Sequence, residues 1–338
     1  MKRRVHRIER AGDLRRLKLQ EEDLASPGKN EVCIEVKAVG LNYADIFALM
    51  GMYSATPKGS FIPGLEVSGL VQSVGKEVKN LKEGERVIAV TRFGGYSSHL
   101  NISKDYVYPL KSNWSFAEGA AFAVQALTAY YALFPLGNLK EGNVILIQSA
   151  AGGVGLMANR IAKLYKAYTI GSIGNPEKIE LLKKEGYDRY IIRDEHFGKE
   201  LQQILSDKEL HLVLECIGGK IFEESYKALS PTGRLVTYGS AHFTPMGKKP
   251  NYIKLAYQYL KRPKIDPLQM ISDNKSVLGF NLIWLWERLE ILRPYFEALW
   301  NLELEPPYIG KTFSFEKALE ALEYFKTGNS VGKIILTL

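Results

Sequence analysis

The stretch from Asn143 to Tyr168 constrains this chain more than any other. Asn143 to Gln148 reads N-V-I-L-I-Q, a short apolar run rich in β-branched residues, as expected of a strand buried on both faces of a parallel sheet. Ser149-Ala150-Ala151-Gly152-Gly153-Val154-Gly155 follows directly, and Leu156, Ala158, Ile161, Ala162, Leu164 and Tyr165 then share one helical face. Strand, glycine turn and helix make half of a mononucleotide-binding unit. Gly152 and Gly153 remove side chains where backbone must turn tightly or approach a pyrophosphate, and Gly155 lets the helix pack close to the strand. Phosphates would meet free N–H groups and the positive end of the helix dipole. Because Ala150, Gly153 and Gly155 are spaced more loosely than a full G-x-G-x-x-G, the surrounding rhythm decides the reading.

That rhythm continues. The spacing predicts an alanine-rich helix over Ala117 to Phe134, ending near Pro135. After the glycine turn it predicts strands Thr169 to Ile173, Arg189 to Ile192, Leu210 to Cys216 and Arg234 to Tyr238. Helices Pro176 to Lys184, Gly198 to Leu205 and Phe222 to Leu229 alternate with them. The alternation is that of an α/β, Rossmann-type doubly wound parallel sheet. Lys248 to Ser276, carrying Pro250, Pro263 and Pro267, reads as an irregular excursion. Lys275 to Leu282 can return as a sixth strand, and Ile283 to Trp300 reads as a long helix. Upstream, Glu31 to Val39, Val67 to Val74, Arg86 to Val90 and Tyr106 to Leu110 are short strands among glycine turns with no βαβ rhythm, predicting a mostly β region. The tail offers a helix from Glu316 to Thr327 and a strand from Gly332 to Leu338.

A chain of 338 residues exceeds one ordinary core and predicts two domains. The net charge of +8 comes from 45 basic residues interleaved with 37 acids. Apart from Met1-Lys2-Arg3-Arg4 no dense basic block exists, so a nucleic-acid stripe is not expected, while an anionic cofactor or a membrane surface is compatible with the charge. Cys33 and Cys216 are the only cysteines, too few for a disulfide framework or a four-thiolate zinc site. Both sit in apolar, strand-like runs and read as buried thiols. A charged N-terminal region and apolar segments too short to span a bilayer place the expected site of action in a reducing cytoplasm, with room for peripheral membrane contact.

A dinucleotide site that prefers NAD carries a carboxylate about 20 residues beyond its glycines. Here the end of the second strand reads Gly171-Ser172-Ile173-Gly174-Asn175-Pro176-Glu177-Lys178, with no carboxylate at the strand tip, and Arg193 ends the next strand. Lys178 and Arg193, with Ser172 and Asn175 as neutral donors and Gly174 between them, suit a 2′-phosphate. NADPH is the expected cofactor.

Gly40-Leu41-Asn42-Tyr43-Ala44-Asp45, Pro63-Gly64-Leu65-Glu66, Leu127-Thr128-Ala129-Tyr130, Ala150 to Gly155 and Gly332-Lys333-Ile334-Ile335, in this order, resemble the zinc-independent quinone oxidoreductase branch of the medium-chain dehydrogenase/reductase superfamily. Ile265-Asp266-Pro267-Leu268 and Asn274 to Asn281 look most like its vesicle amine transport protein group. The resemblance covers essentially the whole chain. It implies a mostly β, GroES-like catalytic domain over 1–121 and 304–338, a Rossmann dinucleotide-binding domain over 122–303, an active site in the cleft, and a homodimer joined through sixth-strand edges. Zinc-dependent relatives place a cysteine where this chain has Asn42 and a histidine where it has Leu65, so no metal is expected. The chemistry left is hydride transfer from NADPH to a quinone or an α,β-unsaturated carbonyl.

Tyr53 and, by resemblance, Asn42 are the expected catalytic donors to the developing oxyanion. Asp45 reads as a structural acceptor. Thr128 by resemblance touches the nicotinamide, Ala150, Gly152, Gly153, Val154 and Gly155 line the phosphate turn, and Gly239 and Ser240 lie past the fifth strand beside the cofactor. Asn329 approaches it from the tail. Quinone oxidoreductases often carry a tyrosine where Arg193 stands, so the 2′-phosphate pocket is expected to be built differently here. A second class fits the same sequence: a nucleotide-binding or lipid-associated protein with little turnover, suggested by the basic surface and by Phe280, Trp284, Trp286, Tyr295, Phe296 and Trp300. An enoyl-thioester reductase is a third.

Overall fold

The computed structural model describes residues 1–245 and 249–338. Two compact units result, one of Met1–Val124, Pro245–Pro250 and Glu305–Leu338, the other of Gln125–Thr244 and Asn251–Leu304.

The first unit begins with β1 (Lys2–Ile8) and β2 (Leu17–Asp23), an antiparallel pair made of charged sequence. It buries Val5, Ile8 and Leu17 in the unit's core, and Glu22 on β2 takes Arg3 at 2.7 Å and Arg7 at 2.6 Å, both on β1. β3 (Glu31–Gly40), α1 (Tyr43–Leu49), β4 (Glu66–Val74), β5 (Arg86–Val90), β6 (His99–Ser103), β7 (Val107–Pro109) and α2 (Phe116–Ala120) follow.

In the second unit, α3 (Ala123–Tyr131) leads to β8 (Val144–Ile147), α4 (Gly153–Leu164), β9 (Tyr168–Ile173), α5 (Ile179–Lys184), β10 (Arg189–Ile192) and α6 (Phe197–Leu205). Then come β11 (Leu210–Glu215), α7 (Gly219–Ala228), β12 (Leu229–Thr237), α8 (Tyr252–Leu260), α9 (Pro267–Asp273), β13 (Ser276–Gly279) and α10 (Leu289–Trp300). The chain returns to the first unit with β14 (Ile309–Ser314), α11 (Ala318–Lys326) and β15 (Lys333–Thr337).

Among the described residues β8 to β13 form a parallel sheet in the order β10-β9-β8-β11-β12-β13. This is the doubly wound arrangement: every residue of β8 is buried, and Leu146, Ile170, Val213 and Leu235 join Phe197, Leu201 and Phe222 from the helices in one core. The first unit's main sheet runs β14-β15-β3-β4-β5-β7, with β6 pairing β3; it is antiparallel apart from the parallel β14–β15 edge. It is a mostly β, GroES-like fold.

Several expected elements differ. The helix over 117–134 is broken at Ala121–Phe122 into α2 and α3, and 132–136 is a π-turn because Pro135 has no N–H to give the α ladder. The helix expected from Ile283 begins at Leu289, after a short 3₁₀ turn over Leu282–Trp284. Lys248, the expected start of the irregular excursion, lies outside the described residues, and the rest contains two helices, α8 and α9.

Candidate functional site

In the second unit the expected nucleotide residues gather at the carboxyl ends of β8, β9, β11 and β12. Ser149 leaves β8 with φ of +53°, a left-handed conformation few residues with a Cβ adopt, and turns the chain into α4. The Ala150 N–H donates to the Ser172 carbonyl at 2.9 Å, which ties the turn to β9. The buried Tyr187 hydroxyl lies 2.8 Å from the Gly155 carbonyl and 3.2 Å from that of Ala150, bracing the turn from outside.

The three glycines have separate reasons. A Cβ at residue 153 would stand 1.6 Å from Gln125 Oε1, and one at 155 would stand 2.6 Å from Ser149 O and 2.7 Å from Ala150 Cα. At 152 a Cβ would meet only Ser149 O, at 3.2 Å. Backbone neighbours therefore demand glycine at 155, whereas a Cβ at 153 would displace the end of the Gln125 side chain and one at 152 would meet little. The N–H groups of Gly153, Val154 and Gly155 open α4, where no preceding helical carbonyl reaches them. Three buried amide oxygens in this unit, Gln125 Oε1, Gln148 Oε1 and Asn159 Oδ1, have no hydrogen-bond partner among the described residues.

At the tip of β9, Arg193 Nη1 donates to the Ser172 carbonyl at 2.9 Å and to its hydroxyl at 3.2 Å, while Nη2 fills the space beside Gly174. Burial draws the guanidinium below its usual range, and Glu215 works against that. Lys178 stands near enough that, after burial, Arg193 is the second cause lowering its ammonium. Two neighbouring cations in a partly desolvated place are unfavourable unless an anion joins them. Asn175 caps the following turn, its Oδ1 accepting the Glu177 N–H at 2.9 Å and its Nδ2 donating to Glu177 Oε2 at 3.2 Å.

On β11, the buried Glu215 carboxylate accepts the N–H groups of Ile217 and Gly218, each at 2.8 Å; burial raises its carboxyl. Gly239 backs onto Cys216, and Ser240 is exposed. Burial also raises the thiols of Cys216 and Cys33, so both stay protonated, as apolar runs suggested. Thr128 is buried on α3.

In the first unit Asn42 belongs to an ionic cluster. The Lys333 ammonium, 4% exposed as a side chain, donates to Asn42 Oδ1 at 2.8 Å and to Glu66 Oε1 at 2.5 Å. Asn42 Nδ2 donates to Glu66 Oε1 at 3.0 Å and to the Gly40 carbonyl at 3.3 Å, and Glu66 Oε2 accepts the Val124 N–H at 3.0 Å. Both amide hydrogens of Asn42 are thus engaged inside the cluster, which leaves none for a substrate oxygen. Asp45 Oδ2 accepts the Asn42 N–H at 2.8 Å and the Tyr96 hydroxyl at 3.2 Å, a structural acceptor. Burial pushes its carboxyl up to about 7, with Lys333 opposing and Glu66 adding to the rise. Tyr53 packs half-buried against the first unit's core, and Asn329 is exposed just before β15, its N–H on Thr327 Oγ1 at 3.2 Å.

Glu66 and Lys333 were in recognised motifs, yet neither had an expected role. The available signal was a charge adjoining an apolar β run, E-V-S-G-L-V and K-I-I-L, where an ion must be paired to be buried. The same cluster bears on the fit of a zinc ion. Leu65, buried, has no donor atom, Glu66 is paired to an ammonium, and no group of three His, Cys, Asp or Glu able to hold a metal occurs among the described residues. The residues present do not fit zinc.

Residues 28–130 match the alcohol dehydrogenase GroES-like domain and residues 153–282 the family described as zinc-binding dehydrogenase. The chain belongs to the medium-chain dehydrogenase/reductase superfamily, among VAT-1 homologues and quinone oxidoreductases. The synaptic vesicle membrane protein VAT-1 homolog of Danio rerio is 32% identical over 311 residues, covering 91% of this chain and 64% of that protein, so this chain spans less than two thirds of that relative. The crystal structure of the human VAT-1 homolog-like protein matches with a TM-score of 0.85 at 27% identity, over 100% of this chain and 98% of that one. The quinone oxidoreductase of Thermus thermophilus, solved alone and with NADPH, matches with a TM-score of 0.80 at 29% identity, over 99% and 100%.

Proposed function

We propose that the protein is an oxidoreductase that uses NADPH to reduce a quinone or an α,β-unsaturated carbonyl without zinc. The observation that carries this reading is the first turn of α4, opened by glycines and set beside the paired cations Lys178 and Arg193. Gly153, Val154 and Gly155 offer backbone N–H groups to the pyrophosphate, Gly152, whose N–H goes to the Ser149 carbonyl, leaves room for it, and Ala150 holds the turn. Lys178 and Arg193, oriented by Ser172 and Gly174 and flanked by Asn175, take the 2′-phosphate. Thr128, Gly239, Ser240 and Asn329 are assigned to the nicotinamide side. When bound, the cofactor supplies a hydride to an electron-poor carbon. Charge then moves to the substrate oxygen, where the Tyr53 hydroxyl donates a hydrogen bond and solvent supplies the completing proton. Asn42, its amide held by Lys333 and Glu66, positions the start of α1.

Purified protein with NADPH or NADH and a panel of quinones and enones tests the proposal. Substrate-dependent oxidation, faster with NADPH, is expected, and no oxidation with any member overturns it. We assign the protein to the cytoplasm as a homodimer paired through β13, which light scattering would report as twice the chain mass. A second reading, peripheral membrane association, is favoured by apolar side chains left exposed on α8 and α9.

A further inference from the structure

Of the second unit's three buried amide oxygens without a partner among the described residues, two belong to side chains already tied down at the nitrogen. Gln148 Nε2 donates to Ser225 Oγ at 3.1 Å and Asn159 Nδ2 to the Glu185 carbonyl at 2.6 Å, which fixes each amide between two elements of the fold. Gln125 is placed differently. It lies on α3, 3% exposed, among the buried apolar residues Ala126, Leu127 and Ala129, and its amide is aimed at the opening of α4. A Cβ at 153 would stand 1.6 Å from Oε1, 2.8 Å from Cδ and 3.5 Å from Nε2, so the oxygen is the atom turned toward Gly153. Glycine at 153 makes room for it. An acceptor shut away from water with no donor weakens a fold by the desolvation of that oxygen, and a purely structural position so surrounded is better filled by an apolar side chain.

Position on the helix says which donor is due. Gln125 and Thr128 are three apart on α3 and therefore neighbours on one face, and Thr128 is assigned to the nicotinamide side of the cofactor. The pyrophosphate cannot complete Gln125, because phosphate oxygens only accept hydrogen bonds and an amide oxygen only accepts. The donors of a nicotinamide dinucleotide are its ribose hydroxyls, the adenine amino group and the nicotinamide carboxamide. The adenosine end is assigned to Lys178 and Arg193 at the tip of β9. Between the pyrophosphate at α4 and the nicotinamide at Thr128 stands the nicotinamide ribose, with two free hydroxyls.

We propose that Gln125 is a further cofactor-binding residue, its Oε1 accepting a hydrogen bond from a hydroxyl of the nicotinamide ribose. This deepens the proposed function and rests on it. The nicotinamide halves of NADPH and NADH are identical, so Gln125 serves both, while Lys178 and Arg193 choose between them.

The test compares unliganded protein with nucleotide complexes in Gln125→Met, which keeps the side chain's length and removes its polar end, and in Gln125→Leu. Without nucleotide, the melting temperature of each variant should rise by about 2–4 °C, because an unpaired buried acceptor has given way to an apolar group. By isothermal titration, NADPH and NADH should each bind about fivefold to tenfold more weakly, the loss of one hydrogen bond between neutral groups. Adenosine 2′,5′-bisphosphate, which lacks the nicotinamide ribose, should bind as it does to wild type. A substitution that stabilises the free protein and weakens the ligand marks a group held ready for that ligand, whereas a residue that merely supports the fold loses on both counts. Melting temperature and affinity that fall together therefore overturn the proposal. A loss shared equally by the bisphosphate moves the contact off the nicotinamide ribose and overturns it too. Wild type that binds neither dinucleotide overturns the proposed function itself. Wild type that binds them, with both variants binding equally well, overturns only this inference and leaves the amide oxygen to an ordered water.

Discussion

Both units bury polar groups, and those groups are satisfied to different degrees. In the first, Asn42, Glu66 and Lys333 satisfy one another, with the Gly40 carbonyl and Val124 N–H as further partners. In the second, the buried amide oxygens of Gln125, Gln148 and Asn159 lack partners among the described residues, and Arg193 lies near Lys178 at the tip of β9. A closed network stabilises a fold, whereas an incomplete one marks a place where an external group is due. Under the proposed function the first group is architecture and the second binds the nucleotide.

The largest expected effect lies in the closed cluster. Lys333→Met should destabilise the protein by about 3–5 kcal/mol, because Glu66 would remain buried without its counter-ion. Denaturant titration measures it. Adding Glu66→Gln should restore a large part of the loss, and a double variant as unstable as the single would show that the pair is not the unit of stabilisation.

Asp45 is the exception within that cluster, since its Oδ1 has no hydrogen-bond partner among the described residues. Its folded carboxyl, pushed to about 7 from an ordinary 3.8, holds its proton when the unfolded chain has already released it. The folded state then binds more protons, so this group's contribution falls as pH rises between those two values and is constant above. Asp45→Asn, whose amide oxygen can still accept from Asn42 and Tyr96, should flatten the melting temperature across that window. An unchanged slope would place the titration elsewhere.

In the incomplete cluster, Arg193→Ala should weaken NADPH binding by about 1.5–3 kcal/mol, roughly tenfold to a hundredfold, and leave NADH nearly unchanged. Equal losses for both nucleotides would remove the 2′-phosphate assignment. Isothermal titration separates the cases.

What the sequence made readable follows the same division. β5 and β10 begin and end where an apolar run meets glycine or charge, so Arg86 to Val90 and Arg189 to Ile192 were legible to the residue. The α4 turn was legible because its glycines stand together in sequence after an apolar run, the one at 155 forced by backbone atoms a few residues away. β1 and β2 escaped notice because charged residues surround the few apolar positions they bury, Val5, Ile8 and Leu17. α8 escaped because its apolar stripe faces outward, so residues that would announce a core helix are attached to no core. Lys333 and Glu66 are 267 residues apart, and a pairing over that separation is invisible until the β15–β3–β4 sheet is known.

The smallest expected change in stability gives the sharpest test. Gly152 is the one glycine of the turn that packing scarcely requires, since a Cβ there meets only Ser149 O at 3.2 Å and its φ of −84° suits any residue. Gly152→Ala should therefore alter stability by no more than about 0.5 kcal/mol. If a pyrophosphate lies against that backbone, the methyl group must still stand in its way. NADPH and NADH should then lose affinity together, by about tenfold or more, unlike the selective loss at Arg193. Gly155→Ala forces backbone atoms apart and should cost about 1–3 kcal/mol of stability, so its binding defect would be ambiguous. The variant at 152 has no such ambiguity: a protein of normal stability that binds both nucleotides normally would move the phosphates away from α4 and end the contrast between the two clusters.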